Sequence, residues 1–455
     1  MKKLKTTMIF VIGIFMAVLF MPTVSAAAVE VNSEDTLKQA LANGETEITL
    51  TDDIVLVSDV HTHATRSVGL EVKGEGTITI NGGGHTLSSA LVVAVEVRAA
   101  AGKTVNVVFN NITIVGAQRA IDIRSKDVTL DLNKANLSVT SYGNYQALTV
   151  GGSAGRITVN VNDSVIDGGK AGYGIITFNP VDLNIVNSEV KGYAALYMKE
   201  SDGSEGSAGS VVTIKDSVFE GNSQYSGSTD NFGTIVLNDK NITINIKDTV
   251  IKSVNTGTAY QVPFVIGSDL NDVKENEQNQ ITIEGNSEII INNQIDDESL
   301  VLNYDNTKME VVVKAGVKSN VEIKEEFLET GVETVVDETT GEVTVVKRHN
   351  ITLGSVANGT VTLDKENALP GETVTITAEA NKDYTLDNIV VLDANGNKVD
   401  VKDGKFVMPD SATTVKIVFV EVKNPNTADM NVLAIVSMLV IGVAGLGYTL
   451  RKRFN

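Results

Sequence analysis

The 455-residue sequence predicts an all-β protein in which short strands wind into a solenoid that is followed by a small β-module. Apolar and polar residues alternate in many short segments, as they do in strands that bury one face. Turns of Asn, Asp, Ser and Gly follow these segments, with anchors at residues 110, 133, 162, 187, 215 and 247, which lie 23 to 32 residues apart. One coil of this length cannot cover its own apolar face, so the repeat favours about nine stacked coils with parallel strands.

The composition limits the function before any motif is considered. Hydrophobic residues make up 42% of the chain, which indicates a globular protein. The absence of Cys excludes disulfides, zinc fingers and thiol nucleophiles. The formal net charge of −20 argues against nucleic acid and anionic membranes as partners. It argues less strongly against polyanionic sugars, unless a bound cation bridges them to the protein.

Residues 1–26 have the pattern of a secretory signal peptide. Basic residues begin the segment, an apolar run extends from Met8 to Met21, and small residues end at Ala26. We therefore predict cleavage between Ala26 and Ala27 and export of the chain. The alternative is a permanent membrane helix, which the short apolar run disfavours.

One helix is predicted in the exported part, at residues 33–42. Ser33 can cap it, and Leu37, Ala40 and Leu41 share one face. The first coil is predicted at 77–87. The helix precedes it and would cover the open end of the solenoid, which is otherwise an exposed sheet edge.

A second repeated unit lies between the turns and begins with an aromatic residue. It aligns 145–150 with 173–178, 193–198 and 232–237. Flat aromatic rings along one side of a solenoid can bind sugars or peptides. The candidate ligand-binding residues are therefore Tyr145, Tyr173, Tyr193 and Phe232. The alternative is that these rings pack coil on coil.

The repeats resemble the right-handed parallel β-helix of the pectate-lyase-like superfamily. The segment from Thr36-Leu37-Lys38-Gln39-Ala40-Leu41 to Asn81-Gly82-Gly83-Gly84-His85-Thr86-Leu87 is similar to the start of pectate-lyase-like adhesive domains of bacterial surface proteins. The resemblance covers about residues 29–325, and we assign 27–325 to this domain with its capping helix. It implies an adhesive role. Because the superfamily also contains lyases and hydrolases, it keeps an extracellular polysaccharide lyase or glycoside hydrolase as the alternative.

A hairpin and a separate β-module follow the solenoid. Val332-Glu333-Thr334-Val335-Val336 and Glu342-Val343-Thr344-Val345-Val346 flank a turn, so residues 326–348 are predicted to be a linker hairpin. Residues 349–422 resemble internalin-type B repeats, which are spacers in Gram-positive surface proteins. The sequence Met408-Pro409 before a strand that ends at Phe419 carries this resemblance most clearly.

The final segment, 423–455, resembles a cell-wall sorting signal. The sorting motif would consist of Asn424, Pro425, Asn426, Thr427 and Ala428. It is followed by the uncharged run 430–450, which is long enough for a transmembrane helix, and then by a basic tail. The resemblance implies that a sortase cleaves after Thr427 and attaches the chain to peptidoglycan of a Gram-positive-type bacterium. Asn424 and Ala428 depart from the usual Leu and Gly. A simple tail anchor is the alternative.

No catalytic residue is predicted. The Gly-His-Gly and Arg-Ile-Lys tripeptides of polygalacturonases do not occur, and Gly84-His85-Thr86 is interpreted as a turn. A pectate lyase would need Ca²⁺-binding Asp residues and a basic residue. Arg is scarce in the candidate region, which contains only Arg66, Arg98, Arg119, Arg124 and Arg156. The best constellation is Arg119 and Arg124 around the strand Ala120-Ile121-Asp122-Ile123. We interpret that group as alternating exposed charges on one face.

No metal site or cofactor is predicted, although Ca²⁺ stays open. His61 with His63 is an incomplete ligand set, and the acidic groups Asp52-Asp53 and Asp296-Asp297-Glu298 are typical of solvated turns. The predicted function is therefore adhesion to a glycan or to a host or neighbour-cell surface; a lyase or hydrolase and a passive stalk are the rivals. A groove that contains a carboxylate pair with converging Arg or Lys side chains would favour the enzyme. A groove that is lined by aromatic and Asn side chains would favour the adhesin.

Overall fold

The structure is a computed structural model that describes residues 28–423 except 61–65, 142, 144, 153–154, 170–171, 201–205, 223–231, 256–260, 268–274, 293–299 and 304–308. The predicted signal peptide and the predicted sorting signal lie outside the described residues and stay predictions. Within the described part of the chain, no helix is both long and apolar enough to cross a membrane.

The solenoid prediction is confirmed, because the chain passes through three parallel sheets in turn and forms a parallel β-helix. The eleven-stranded sheet consists of Val29–Val31, Glu47–Leu50, Gly76–Asn81, Val105–Asn110, Val128–Asn133, Ile157–Asn162, Val181–Val186, Val211–Lys215, Thr243–Lys247, Asn279–Glu284 and Met309–Val313. The nine-stranded sheet consists of Val68–Gly74, Val93–Ala99, Arg119–Ile123, Gln146–Val150, Tyr173–Thr177, Ala194–Lys199, Phe232–Asn238, Gln261–Ile266 and Val301–Asn303.

The third sheet has twelve strands, and its last two form a hairpin. In spatial order they are Ile54–Leu56, Thr86–Ser89, Thr113–Gly116, Asn136–Val139, Val165–Asp167, Glu189–Gly192, Val218–Asn222, Val250–Val254, Glu288–Asn292, Lys318–Ser319, Val343–Lys347 and Val332–Val336. Short 3-10 helices occupy Glu275–Glu277 and Glu325–Phe327.

The first coil begins earlier than predicted. Strand Glu47–Leu50 pairs in parallel with Gly76–Asn81, through Glu47 opposite Thr79, so a full coil precedes the predicted start at Thr77. The first two strands of this coil contain four and three residues. Strands this short show too little alternation to be recognised by pattern alone.

Alternation along each strand builds the core. In Val105–Asn110, the side chains of Val105, Val107 and Phe109 are buried and the residues between them are partly exposed. The inward residues of successive coils stack into one apolar cluster that runs the length of the solenoid. Complete burial of one such side chain contributes about 1.5–3 kcal/mol, so the stack, not any single coil, stabilises the fold.

In the eleven-stranded sheet, a left-handed residue, most often Asn or Asp, lies in the turn directly after each of the six strands from Val105–Asn110 to Thr243–Lys247. Residues with positive φ at this turn are Asn111, Lys134, Asp163, Asn187, Asp216 and Asp248. Asn and Asp tolerate this conformation better than other side chains. Just before the turn, an amide ladder connects the coils, as expected from the repeated Asn: each Nδ2 donates to the Oδ1 of the preceding coil at 2.9–3.1 Å, in the order Asn81, Asn110, Asn133 and Asn162.

Buried hydroxyls form a second ladder at the same turn. The residues are Ser164, Ser188, Ser217, Thr249 and Ser287. The backbone N–H of Ser164 donates to Ser188 Oγ at 3.0 Å, and Ser188 Oγ donates to the Val186 carbonyl at 2.7 Å. Each hydroxyl therefore satisfies a buried donor of one coil and an acceptor of its own coil, which fixes the coil-to-coil register.

The helix Glu34–Ala42 covers the first end of the solenoid, as predicted, and Ser33 caps it. Glu34 connects the helix to the first coil. Its carboxylate accepts hydrogen bonds from Lys38 Nζ at 2.6 Å and from the backbone N–H groups of Ser58 and Val57 at 2.9 and 3.2 Å. Burial raises the pKa of Glu34, but these hydrogen bonds outweigh it and hold the pKa below its ordinary value.

The predicted linker hairpin is part of the solenoid. Val332–Val336 and Val343–Lys347 pair antiparallel, and Val343–Lys347 also pairs antiparallel with Lys318–Ser319. Val343 and Val345 are buried in the main apolar cluster. The hairpin thus covers the last solenoid strand of the twelve-stranded sheet, where a parallel edge would otherwise be open.

Residues 349–423 form the compact all-β module that the sequence predicts. Its strands are His349–Leu353, Gly359–Leu363, Asn367–Ala368, Thr373–Ala380, Tyr384–Leu392, Lys398–Val399, Val401–Lys402, Lys405–Val407 and Thr413–Glu421. They form a five-stranded and a four-stranded sheet around a separate core that includes Val374, Phe406 and Met408.

Candidate ligand-binding face

One line of side chains crosses the outward face of the nine-stranded sheet from coil to coil. The register places in one row, here called the central column, Glu71, Glu96, Asp122, Thr149, Ile176, Tyr197, Val236, Val265 and Leu302. The neighbouring residues Ile235 and Leu237 belong to the main core, whereas Val236 belongs to a separate cluster with Val265. The column therefore faces away from the core. It is charged at the N-terminal coils and apolar at the C-terminal coils.

The charged end is built around two buried carboxylates. Glu96 and Asp122 lie side by side on adjacent strands, and both are 0% exposed. Asp122 Oδ2 contacts Arg119 Nη1 and Arg124 Nε at 3.0 Å each, and Arg66 Nη1 at 3.7 Å. Because ionised carboxylates in an apolar environment are costly, these guanidinium groups are needed to hold the negative charge.

The second carboxylate is held in the same way. Glu96 pairs with Arg66 and with Arg98, and Arg98 Nε also lies 3.6 Å from Glu71 Oε1. The side chains of the four arginines remain 21–35% exposed above the buried carboxylates. We call Arg66, Arg98, Arg119 and Arg124 with Glu71, Glu96 and Asp122 the charged cluster.

This arrangement corrects the interpretation of Arg119 and Arg124 as members of an alternating exposed face. Asp122, which lies between them, is fully buried and bonded to both. The sequence reasoning did not single out Glu96 at all. A signal was present, because each acid stands within an otherwise apolar strand, in Val93-Ala94-Val95-Glu96-Val97 and Ala120-Ile121-Asp122-Ile123. A charge in such a segment needs a partner when the strand is buried on both faces.

The electrostatics of the cluster are visible at Arg66. Burial lowers the pKa of Arg66 from its ordinary value; the Asp122 carboxylate opposes this shift, and the guanidinium groups of Arg124, Arg119 and Arg98 add to it. The side chain stays cationic at neutral pH because the ordinary pKa of Arg is so high. The cluster therefore crowds like charges together at one place on the surface.

Polar side chains extend the cluster along the sheet. Gln146 Oε1 accepts hydrogen bonds from Arg119 Nε at 3.2 Å and from Thr149 Oγ1 at 3.4 Å. Asp122 Oδ1 is buried and accepts no hydrogen bond from the described residues. Gln146, Thr149 and Asp122 are all buried, so these hydrogen bonds hold Arg119 in place from beneath the surface of the face.

Tyrosines occupy the next part of the face. The ring of Tyr173 lies 5.3 Å from that of Tyr197 and 6.3 Å from that of Tyr193, at angles of 50° and 57°. Such tilted pairs are favourable beyond the area that they bury. Tyr173 and Tyr197 are partly exposed, whereas Tyr193 is 5% exposed. We call these three residues the tyrosine patch.

The predicted aromatic series is only partly brought together. Tyr173 and Tyr193 are neighbours, and Tyr197 joins them although the prediction did not include it among the site residues. Tyr173 pairs with Gln146 and Ala194, which directly follow Tyr145 and Tyr193 in the sequence. The three tyrosines are therefore not opposite one another in the sheet, because the register is shifted by one residue. Tyr145 is partly exposed. The side chain of Phe232 lies outside the described part, and its backbone pairs with Gln261. The role of Tyr145, Tyr173, Tyr193 and Phe232 in ligand binding stays a prediction.

The candidate metal ligands have other roles or fall outside the described residues. Asp53 Oδ1 accepts a hydrogen bond from the Thr86 N–H at 2.7 Å and lies 3.5 Å from His85 Nδ1, so these residues form contacts between neighbouring coils. Residues 61–63 and 296–298 are not described. Across the described ranges, no three His, Cys, Asp or Glu side chains are grouped as metal ligands.

The fold and this face define a parallel β-helix protein with a C-terminal β-module. Residues 349–423 match the family model of the divergent InlB B-repeat domain, which confirms the predicted B-repeat module. No curated protein matches the chain. Among solved structures, the chain is similar to the crystal structure of the bacteriophage CBA120 tailspike protein 4 enzymatically active domain, with 12% identity and a TM-score of 0.31. The match covers 85% of this chain and 61% of that one. A likeness this distant says nothing about the activity of this chain.

Proposed function

We propose that this protein is a cell-wall-attached adhesin that binds a glycan through the outward face of its nine-stranded sheet. The observation that carries the proposal is the combination, on one face, of the partly exposed rings of Tyr173 and Tyr197 with partly exposed arginines. Sugar rings present apolar faces and hydroxyl edges, so aromatic rings beside fixed polar groups are suited to bind them.

The outward side of the eleven-stranded sheet provides an internal comparison. Six successive residues of its corresponding row are small and polar: Asp131, Asn160, Asn184, Thr213, Asn245 and Thr282. The partly exposed Val108 and Val312 flank them in the same row. The nine-stranded sheet has Ile176, Tyr197, Val236 and Val265 in its row instead. Ile176, Val236 and Val265 are each 3% exposed, whereas Tyr197 is partly exposed, so the tyrosine ring is the part of this row that supports a binding face.

The location is part of the same proposal. Export through the signal 1–26, cleavage after Thr427 and attachment to peptidoglycan would place the B-repeat module next to the wall and the β-helix beyond it. Mass spectrometry of wall-digested fragments tests this arrangement. A mature C-terminus beyond Ala428 would refute sortase attachment.

Binding is tested with a glycan array probed by the purified chain and its variants. Tyr173→Ser and Tyr197→Ser should each weaken binding, whereas Tyr197→Phe, which keeps the ring, should retain it. Circular dichroism verifies that each variant is folded. Folded Ser variants that bind as tightly as the parent would contradict the proposed face.

A polysaccharide lyase or hydrolase is the second candidate, and one observation favours it. Glu96 and Asp122 form a carboxylate pair on which arginines converge, and glycosidases use a carboxylate pair as acid and base or nucleophile. Against it, both carboxylates are fully buried beneath guanidinium groups and do not reach the surface. Release of reducing or unsaturated sugar ends that Asp122→Asn abolishes would favour the enzyme over the adhesin.

A further inference from the structure

We propose that the charged cluster recognises anionic groups of the ligand, so that the glycan bound by this face is an acidic polysaccharide that carries carboxylates or sulfates. This inference rests on the proposed function and specifies its ligand class. It also removes the need for a bridging cation, because the protein supplies the positive charge itself.

The charge balance of the cluster supports this proposal. Four guanidinium groups face three carboxylates, and two of those carboxylates are completely buried. The groups that reach the surface are therefore mainly cationic. Four of the six arginines in the described residues lie here, in a chain whose net charge is −20. Three cations would neutralise Glu71, Glu96 and Asp122, so the fourth guanidinium group leaves the cluster with one surplus positive charge.

The chemistry of the guanidinium group fits an oxyanion. Its planar fork donates two parallel hydrogen bonds to a carboxylate or sulfate and is weakly hydrated. Arg119 is held by Asp122 and Gln146, and Arg98 is held by Glu96. Because these contacts already restrict the side chains, a ligand loses less conformational entropy when it binds them. Glu96 and Asp122 are positioning residues in this site.

The site lies on the same sheet face as the tyrosine patch. Asp122 and Tyr197 lie in the same column, three strand intervals apart, through Thr149 and Ile176. At about 4.8 Å per interval, the separation is about 14 Å. A polysaccharide that runs along the solenoid axis can therefore place an acidic group on the arginines while its other sugar rings contact Tyr173 and Tyr197.

The test measures affinity by calorimetry for three probes: polygalacturonate, dextran sulfate and neutral dextran. The parent chain should bind at least one acidic probe and bind dextran more weakly. Arg119→Gln and Arg98→Gln should each lower the affinity for the acidic probe by about tenfold, the loss expected for one charge-assisted hydrogen-bonding group. The carboxylate and sulfate probes distinguish the two sources of negative charge.

The matched control is Arg156→Gln, which makes the same change in charge outside the cluster. Arg156 pairs with Asp182 at 2.6 Å, and both side chains are more than 40% exposed. This variant should change the affinity by less than about twofold, the effect of one distant, screened charge. Equal losses in Arg156→Gln and Arg119→Gln would show non-specific attraction and overturn the inference.

A third variant keeps the test decisive if the Arg variants unfold. Glu71 lies at the rim of the cluster, 28% exposed and 3.6 Å from Arg98. Glu71→Gln removes a negative charge there, so it should raise the affinity for the acidic probe by about two- to fivefold. No gain overturns the inference. Tight binding of neutral dextran that none of these variants alters would overturn it while leaving glycan binding intact; failure to bind any glycan on the array would overturn both proposals.

Discussion

Replacing Asp122 by Asn tests whether the buried carboxylates hold the charged cluster in place. Asp122 is completely buried, and its Oδ2 atom contacts three guanidinium groups. Removing one partner from a buried ion pair costs about 3–5 kcal/mol. The arginine side chains are 21–26% exposed and can turn partly to water, which reduces the loss to about 2–3 kcal/mol.

The assay is urea unfolding followed by far-UV circular dichroism. With a slope of about 3 kcal/mol per molar urea, the expected loss lowers the midpoint by about 0.8 M. The matched control is Asp182→Asn, which breaks the exposed pair with Arg156 and should cost at most about 1 kcal/mol. Equal losses in the two variants would refute the view that burial makes the Asp122 contacts strong.

Three further changes test other parts of the fold. Ser188→Ala leaves the buried N–H of Ser164 without its acceptor and should cost about 1–3 kcal/mol of unfolding free energy; Ser188→Thr keeps the hydroxyl, and an equal loss there would contradict the ladder. Lys134 has a φ of 53°, so Lys134→Asn should raise the unfolding free energy by about 0.5–1 kcal/mol, and a decrease would contradict the strain argument. The lowered pKa of Glu34 means that its ionised form stabilises the fold above its ordinary pKa and that this contribution is lost as the pH falls through the lowered value. Between about pH 6 and about pH 3, the urea midpoint of Glu34→Gln should therefore fall by less than the urea midpoint of the parent.

Sequence patterns predicted the coils well where the strands are long. In Val105–Asn110 and Val128–Asn133, six residues of alternation followed by an Asn turn are enough to identify a strand and its inward face. The pattern failed at the short strands Glu47–Leu50 and Ile54–Leu56. It predicted the hairpin within 326–348 but not the pairing of this hairpin with the solenoid, because the edge on which the hairpin pairs exists only after the coils have stacked.

The register of the strands was the second feature that the sequence alone did not predict correctly. Aligning Tyr173 with Tyr145 places Ile176 opposite Leu148, whereas the structure pairs Ile175 with Leu148. Both Ile175 and Ile176 are apolar, so the sequence contains no signal for which of them points inward. Packing against the core decides it, and a shift of one residue turns every side chain of the strand to the other face.

The sequence by itself determined that this chain winds into parallel coils, that a helix covers the first coil and that a B-repeat module follows, because alternation, turn residues and capping residues are local properties of the chain. Only the tertiary structure decided which residues meet across the coils. Arg66, Arg98 and Arg119 come from three different coils, and they converge on Glu96 and Asp122 because each coil contributes one strand at a fixed spacing to the same sheet. The physical reason is that burial and register are set by stacking, which no individual coil encodes.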